Sequence, residues 1–104
     1  MPDTAVFAAL ANPVRREVLQ VLRDEGPQPV AALAARFGLA RPTFSEHLRV
    51  LRDAGLASET RQGRQRVYRL EPARLATVRD WLAPFERFWA DRLAGLGTVL
   101  DELP

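Results

Sequence analysis

Apolar residues return at helical spacing through most of this chain, and the period changes to strict alternation only once, between residues 56 and 70. Thr4 to Leu10 carries Val6, Phe7 and Leu10, which predicts a short apolar helix. Asn12-Pro13 reads as an N-cap followed by proline in the first turn, where its missing N–H costs nothing. The helix it opens turns Val14, Val18, Leu19 and Leu22 inward and Arg15, Arg16, Glu17 and Arg23 outward, and Gly26-Pro27 closes it. Val30, Leu33, Ala34 and Phe37 repeat the i, i+3, i+4, i+7 pattern over a third helix ended by Gly38. Phe44, Leu48 and Leu51 then make one narrow stripe on a fourth, with Pro42 near its start and Gly55 at its end. Its opposite side holds Pro42, Glu46, Arg49 and Asp53, with Thr43 close by. Two short helices joined by so tight a glycine-containing turn form a helix-turn-helix.

After Gly55, residues 56–61 and 64–70 read as strands around a two-residue turn, Gln62-Gly63. On the second strand Arg64, Arg66, Tyr68 and Leu70 share a face: the last two cover core, the first two carry guanidinium groups out along the hairpin. A helix-turn-helix followed by an arginine-tipped hairpin is a winged helix. Pro72 opens the last helical region, with Leu75, Val78 and Leu82 on one side, and Pro84 is expected to kink or break it. Beyond Pro84, Phe85, Trp89, Leu93, Leu96, Leu100 and Leu103 recur almost as a heptad seam, widened by Phe88 and Val99. So wide a stripe exceeds what a small core can cover, and the partner it suits is the same stripe on a second copy. The fold class expected is mainly α with a small β-hairpin, in the order α-α-α-α-β-β-α. Residues 1–104 form one domain, in which 4–26 and 72–103 supply core and dimerisation helices, 30–55 the helix-turn-helix and 56–70 the wing.

Composition narrows the chemistry. There are no cysteines, which removes disulfides, thiolate metal sites and thiol catalysis together. No apolar run approaches the roughly 18 residues of a membrane span, and Met1-Pro-Asp-Thr-Ala5 lacks a signal peptide's basic start and apolar core, so a cytoplasmic protein is expected. All 15 basic residues are arginine, a planar fork suited to phosphates and guanine edges. Net charge is only +2, so distribution matters more. Residues 41–69 hold Arg41, Arg49, Arg52, Arg61, Arg64, Arg66 and Arg69 against Glu46, Asp53 and Glu59.

Residues 10–19 (LANPVRREVL), 45–56 (SEHLRVLRDAGL) and 63–70 (GRQRVYRL) resemble the ArsR/SmtB winged-helix repressors, and 81–89 (WLAPFERFW) is similar to a cysteine-free branch of that family. The likeness covers about residues 5–100. It implies a transcriptional regulator that binds an imperfect DNA palindrome as a homodimer through its first and last helices. Arg41, Pro42, Thr43, Ser45, Glu46, His47 and Arg49 would then hold the recognition-helix contacts, and Arg61, Gln62, Arg64 and Arg66 those of the wing. Val6, Phe7, Leu10, Phe85, Phe88, Trp89, Leu93, Leu96 and Leu100 would line the dimer interface. The family's metal sensors carry thiolates in the third helix or histidine-rich ligands in the last, and this chain has neither. Alanine at position 40 cannot cap, whereas Thr43 with Glu46 has capping-box spacing, so Glu46 either folds back on the backbone or faces the groove.

An enzyme is not expected. His47 is the sole histidine, borders the apolar stripe and has no specified nucleophile partner, and no phosphate-cradling glycine loop is present. No cofactor is expected either, although Asp80, Glu86, Asp91, Asp101 and Glu102, doubled in a dimer, are oxygen donors suited to a hard divalent ion such as nickel or manganese. Two other readings stay open: a metal-responsive regulator using those donors, and a winged-helix interaction scaffold that binds no DNA.

Overall fold

The computed structural model describes residues 3–102, with side chains described for 4–95. Its elements are α1 (Asp3–Leu10), α2 (Pro13–Glu25), β1 (Gln28–Pro29), α3 (Val30–Phe37), α4 (Arg41–Asp53), β2 (Ala57–Gln62), β3 (Gln65–Leu70), a 3₁₀ turn (Pro72–Leu75) and α5 (Ala76–Glu102).

The helix boundaries follow local chemistry. Asn12 Oδ1 accepts from the N–H groups of Val14 (2.8 Å) and Arg15 (3.2 Å), which satisfies two orphan donors at the start of α2. Helix α4 has no side-chain cap at Ala40: it begins at Arg41, and the Ala40 carbonyl accepts the first helical bond from Phe44 N–H at 3.0 Å. The Thr43–Glu46 capping box therefore does not form, and Glu46 points outward. At the other end Gly55 N–H donates to Arg52 O and Leu56 N–H to Leu51 O, both at 3.0 Å, the paired bonds of a Schellman closure. Gly55 sits at φ +76°, and a Cβ there would meet the Arg74 side chain, so both backbone and space ask for glycine.

The sheet has three strands in the order β1-β3-β2, all antiparallel neighbours. The hairpin register pairs Gln62 with Gln65, so the turn residues are Gly63-Arg64, one position later than the sequence pattern suggests. Gly63 takes φ +63°, and among the described residues no non-glycine has positive φ, the pattern of a II′ turn with glycine first. Arg64 accordingly sits at the tip and not in β3. Strand β1 leaves no signal in the sequence because two residues carry no periodicity. Pro29 is tolerated there because β1 is an edge.

The core gathers Val18, Leu19 and Leu22 of α2, Val30 and Leu33 of α3, Phe44, Leu48 and Leu51 of α4, and Leu56, Ala57 and Tyr68 of the hairpin base. Val6 and Ala9 of α1 belong to it as well. Val6 is only 1% exposed within its own subunit, so the interface role expected for it is corrected to a core role. Deleting one of the fully buried aliphatics, Leu51 for example, costs about 2–5 kcal/mol in transfer and cavity terms.

Helix α5 runs through Pro84 as one continuous element, so of the kink or break expected there the break does not occur. Pro84 and Asp80, one turn earlier, both lie on the exposed side, where the carbonyl freed of its donor is open to water. The helix starts against α1, where Phe7 meets Trp81 edge-on at 5.9 Å between ring centroids. From there it projects from the body, and the molecule measures 65 × 32 × 22 Å.

Candidate nucleic-acid interface

Helices α3 and α4, joined by Gly38-Leu39-Ala40, form the helix-turn-helix, and burying Phe44, Leu48 and Leu51 decides which side of α4 is left outside. Arg41, Pro42, Thr43, Ser45, Glu46 and Arg49 are all exposed on that outer side. The hairpin stands beside it. A groove between the two is lined by Pro42, Ser45, Glu46, Arg49, Arg52, Arg66 and Tyr68. The residues expected to read DNA are thus brought to one surface, with His47 as the exception. His47 is half-buried, and its Nδ1 lies 3.1 Å from Arg15 Nη1. A guanidinium only donates, so Nδ1 accepts and Nε2 carries the proton.

Arg15 was expected to point to solvent with Arg16, Glu17 and Arg23. Instead its Nε donates to Ala9 O (2.7 Å) and its Nη2 to Ala8 O (3.1 Å), closing the C-terminus of α1 while Nη1 reaches His47. Arg16 Nη1 donates to Leu10 O at 2.8 Å. These two arginines use the last carbonyls of α1, which have no intrahelical donors, as their acceptors. Helical periodicity reports which way a residue leaves its own helix but not the carbonyls a neighbouring helix end presents to it, so the role was hidden.

The arginines of the reading surface fall into two groups. Arg49 is held on its own helix: Nε donates to Glu46 Oε2 at 3.1 Å, Nη2 donates to the other Glu46 oxygen, and Nη1 donates to Asp53 Oδ2 at 3.0 Å. The hydrogen bond from Arg49 holds the Glu46 carboxyl below the usual carboxylate range, and Glu46 in turn raises the guanidinium pKa. Arg52 Nη1 bridges Glu59 Oε2 (2.9 Å) and the Tyr68 hydroxyl (3.0 Å), with Arg66 3.7 Å from the other Glu59 oxygen. This network ties the end of α4 to the base of the wing and sets their relative orientation. Burial pushes the Tyr68 phenol upward. Sequence spacing does not reveal this role for Arg52, because its partner Glu59 lies seven positions away on a different element.

The second group is free. Among the described residues the side chains of Arg41, Arg61 and Arg64 make no hydrogen bond or ion pair. Together with Arg66 they line a cleft of about 200 Å³ between the wing and the start of α3, at Pro29, Val30 and Ala31. Gln62 stands exposed at the end of β2 beside them. Unpaired guanidiniums converging from two elements present a fork for phosphate oxygens.

Large apolar residues crowd the exposed face of α5 between Trp81 and Leu93. Trp81, Phe85, Phe88, Trp89 and Leu93 are 43–66% exposed. The rings of Trp81 and Phe85 meet tilted at 35°, 4.8 Å between centroids, and Arg92 lies over the Phe88 ring at 4.5 Å. Phe7 and Leu10 are half-buried alongside. Leu96 and Leu100 fall outside the residues whose side chains are described, as do Asp101 and Glu102 of the expected oxygen-donor set. Among the described residues no group of three or more histidines and carboxylates gathers as metal ligands, and no helix is long and apolar enough to cross a membrane.

A four-helix core carrying a helix-turn-helix and an arginine-edged β-ribbon defines a winged-helix DNA-binding protein. A family model described as a helix-turn-helix domain matches residues 10–60. The HTH-type transcriptional regulator Rv2034 of Mycobacterium tuberculosis is 39% identical over 96% of this chain and 89% of its own length. The transcriptional repressor SdpR of Bacillus subtilis is 31% identical over 77% and 88%. Among solved structures, the ArsR family transcriptional regulator RHA00566 superposes with a TM-score of 0.74 at 38% identity, covering 84% of this chain and 89% of that one. The homodimeric winged helix-turn-helix DNA-binding domain Mb0332 of Mycobacterium bovis, described as a possible ArsR-family regulator, superposes with a TM-score of 0.63 at 29% identity over 82% and 80%. The chain belongs to the ArsR family of winged-helix transcriptional regulators, which are DNA-binding proteins and not enzymes.

Proposed function

We propose that this protein is a homodimeric repressor that binds a palindromic operator in its own or a neighbouring promoter. The observation that carries the reading is the cleft edged by Arg41, Arg61, Arg64 and Arg66, three of them without any partner, beside an exposed recognition face. Phosphates take the free guanidiniums, and Thr43, Ser45, Glu46 and Arg49 face base edges in the major groove. No cofactor enters this chemistry. The second protomer covers the Trp81–Leu93 face of α5 together with Phe7 and Leu10, since five large exposed apolar side chains on one helix are more than a monomer leaves in water. The homodimeric Mb0332 domain and the repressor SdpR support the assembly and the sign of regulation.

The test is a footprint on the protein's own upstream DNA, with and without divalent metal. Counting about four arginine contacts per protomer, the dimer neutralises about eight phosphates and its log–log salt slope lies near −7. The two recognition helices would stand about 34 Å apart, one DNA turn. A protein that protects no duplex at low ionic strength would be a scaffold. Protection that appears or vanishes with a divalent ion would favour the oxygen-donor sensor.

A further inference from the structure

Arginines on a DNA-reading helix ordinarily add affinity for every sequence, through phosphates, as well as for the right one. Here the helix is arranged against that. Apart from Arg41 at its start, α4 displays no guanidinium without a carboxylate: Arg49 is held by Glu46 and Asp53, and Arg52 by Glu59. Glu46 and Arg49 both line the groove between α4 and the wing. The capping role that would have explained a glutamate at this position is ruled out by the helix start at Arg41.

We propose that Glu46 is the specificity-determining residue of the recognition helix, and that it works by withholding Arg49 from the phosphates of the wrong sequence. The inference rests on the DNA-reading assignment above. On an unmatched duplex Glu46 meets groove acceptors and the negative field of the backbone with no donor to satisfy it, so it stays on Arg49 and the helix contributes no cation. On the matched duplex the ion pair opens. Arg49 exchanges its carboxylates for the O6 and N7 acceptors of a guanine, and Glu46 accepts from the N4 amine of a cytosine. The exchange is accessible because all three side chains are exposed, and exposed ion pairs hold weakly. General affinity then comes from the wing and Arg41, and discrimination from α4.

The experiment uses the full chain with two probes, a duplex selected from a randomised pool by the wild-type protein and the unselected pool itself. Glu46→Gln keeps shape and helix propensity while removing the charge, and its thermal melt stays at the wild-type value. It is expected to bind the pool several-fold more tightly at low ionic strength, with a salt slope steeper by about two units per dimer as each freed Arg49 takes a phosphate. The ratio between selected duplex and pool shrinks on the order of tenfold, the size of one lost base discrimination. Asp53→Asn shifts the pool in the same direction by less, since it takes the charge from only one of the three bonds that hold Arg49. Unchanged or weaker pool binding in Glu46→Gln, or an equal shift on both probes, would overturn the proposal. A wild-type protein that selects nothing from the pool would overturn the DNA-reading assignment itself, and this inference with it.

Discussion

Two parts of this molecule reach out from the core, and they are finished in opposite ways. The wing ends in guanidinium groups that water solvates well, so it stands free and binds reversibly. The exposed face of α5 carries Trp81, Phe85, Phe88, Trp89 and Leu93, which water solvates badly, so it suits a covering partner. The polar arm suits a partner met and released under the control of salt. The apolar arm suits a partner kept. On the homodimer reading proposed above this divides the labour: α5 would hold two reading heads at a set spacing, and the wing and α4 would take and leave DNA.

The strongest way to break that contrast is to make the apolar arm polar. Trp89→Glu places a charge in the middle of the stripe, and analytical ultracentrifugation is expected to show a monomer with its core and far-UV spectrum intact. Operator affinity falls by about 10²–10⁴-fold, because each half-site then binds without the effective concentration supplied by its twin. A Trp89→Glu dimer that binds as before would put the partner surface elsewhere. The next largest effect comes from the polar arm. Arg64→Ala removes an unpaired guanidinium from the hairpin tip, so affinity drops alike on selected and random duplexes, and the salt slope flattens by about two units per dimer. A loss confined to one sequence would make Arg64 a base reader.

A smaller effect sharpens how the arms are mounted. Gly55→Ala forces alanine to φ +76° and pushes on Arg74, at a cost of about 1–2 kcal/mol in urea unfolding, with dimerisation retained. The smallest concerns the bracket between α4 and the wing. Burial raises the Tyr68 pKa in the folded state, so the folded protein holds the phenolic proton more tightly than the unfolded chain. That stability is full below the unfolded value of about 10 and is lost as pH rises through the folded one. With one tyrosine, no lysine and no cysteine, Tyr68 is the only side chain titrating in this alkaline window. A thermal melt is therefore expected to stay level up to about pH 10 and then fall, and Tyr68→Phe to remove the fall. A fall of the same size in Tyr68→Phe would assign it to another group.

Much of this was legible in the amino-acid order because the signals are local. Helix periodicity, the Asn12-Pro13 start, the glycines at 38, 55 and 63 and the single stretch of alternation place four helices and a hairpin with little outside help, since capping and turn chemistry act within a few residues. The exposed row of α4 was readable for the same reason: once Phe44, Leu48 and Leu51 are known to face in, geometry decides what faces out. What the order of residues left undecided depends on groups far apart in the chain. Whether Glu46 caps or pairs hinged on where the preceding turn starts the helix. Arg15 was hidden because its acceptors are the spare carbonyls of a different helix, and Arg52 because its partners lie across the hairpin. Val6 and Phe7, adjacent and alike in character, separate into a buried core residue and a half-buried one beside Trp81 only when α1 is packed. Local patterns determine where the chain turns and which face is apolar; only the packed structure decides which charges find each other, because pairing is a matter of distance in space.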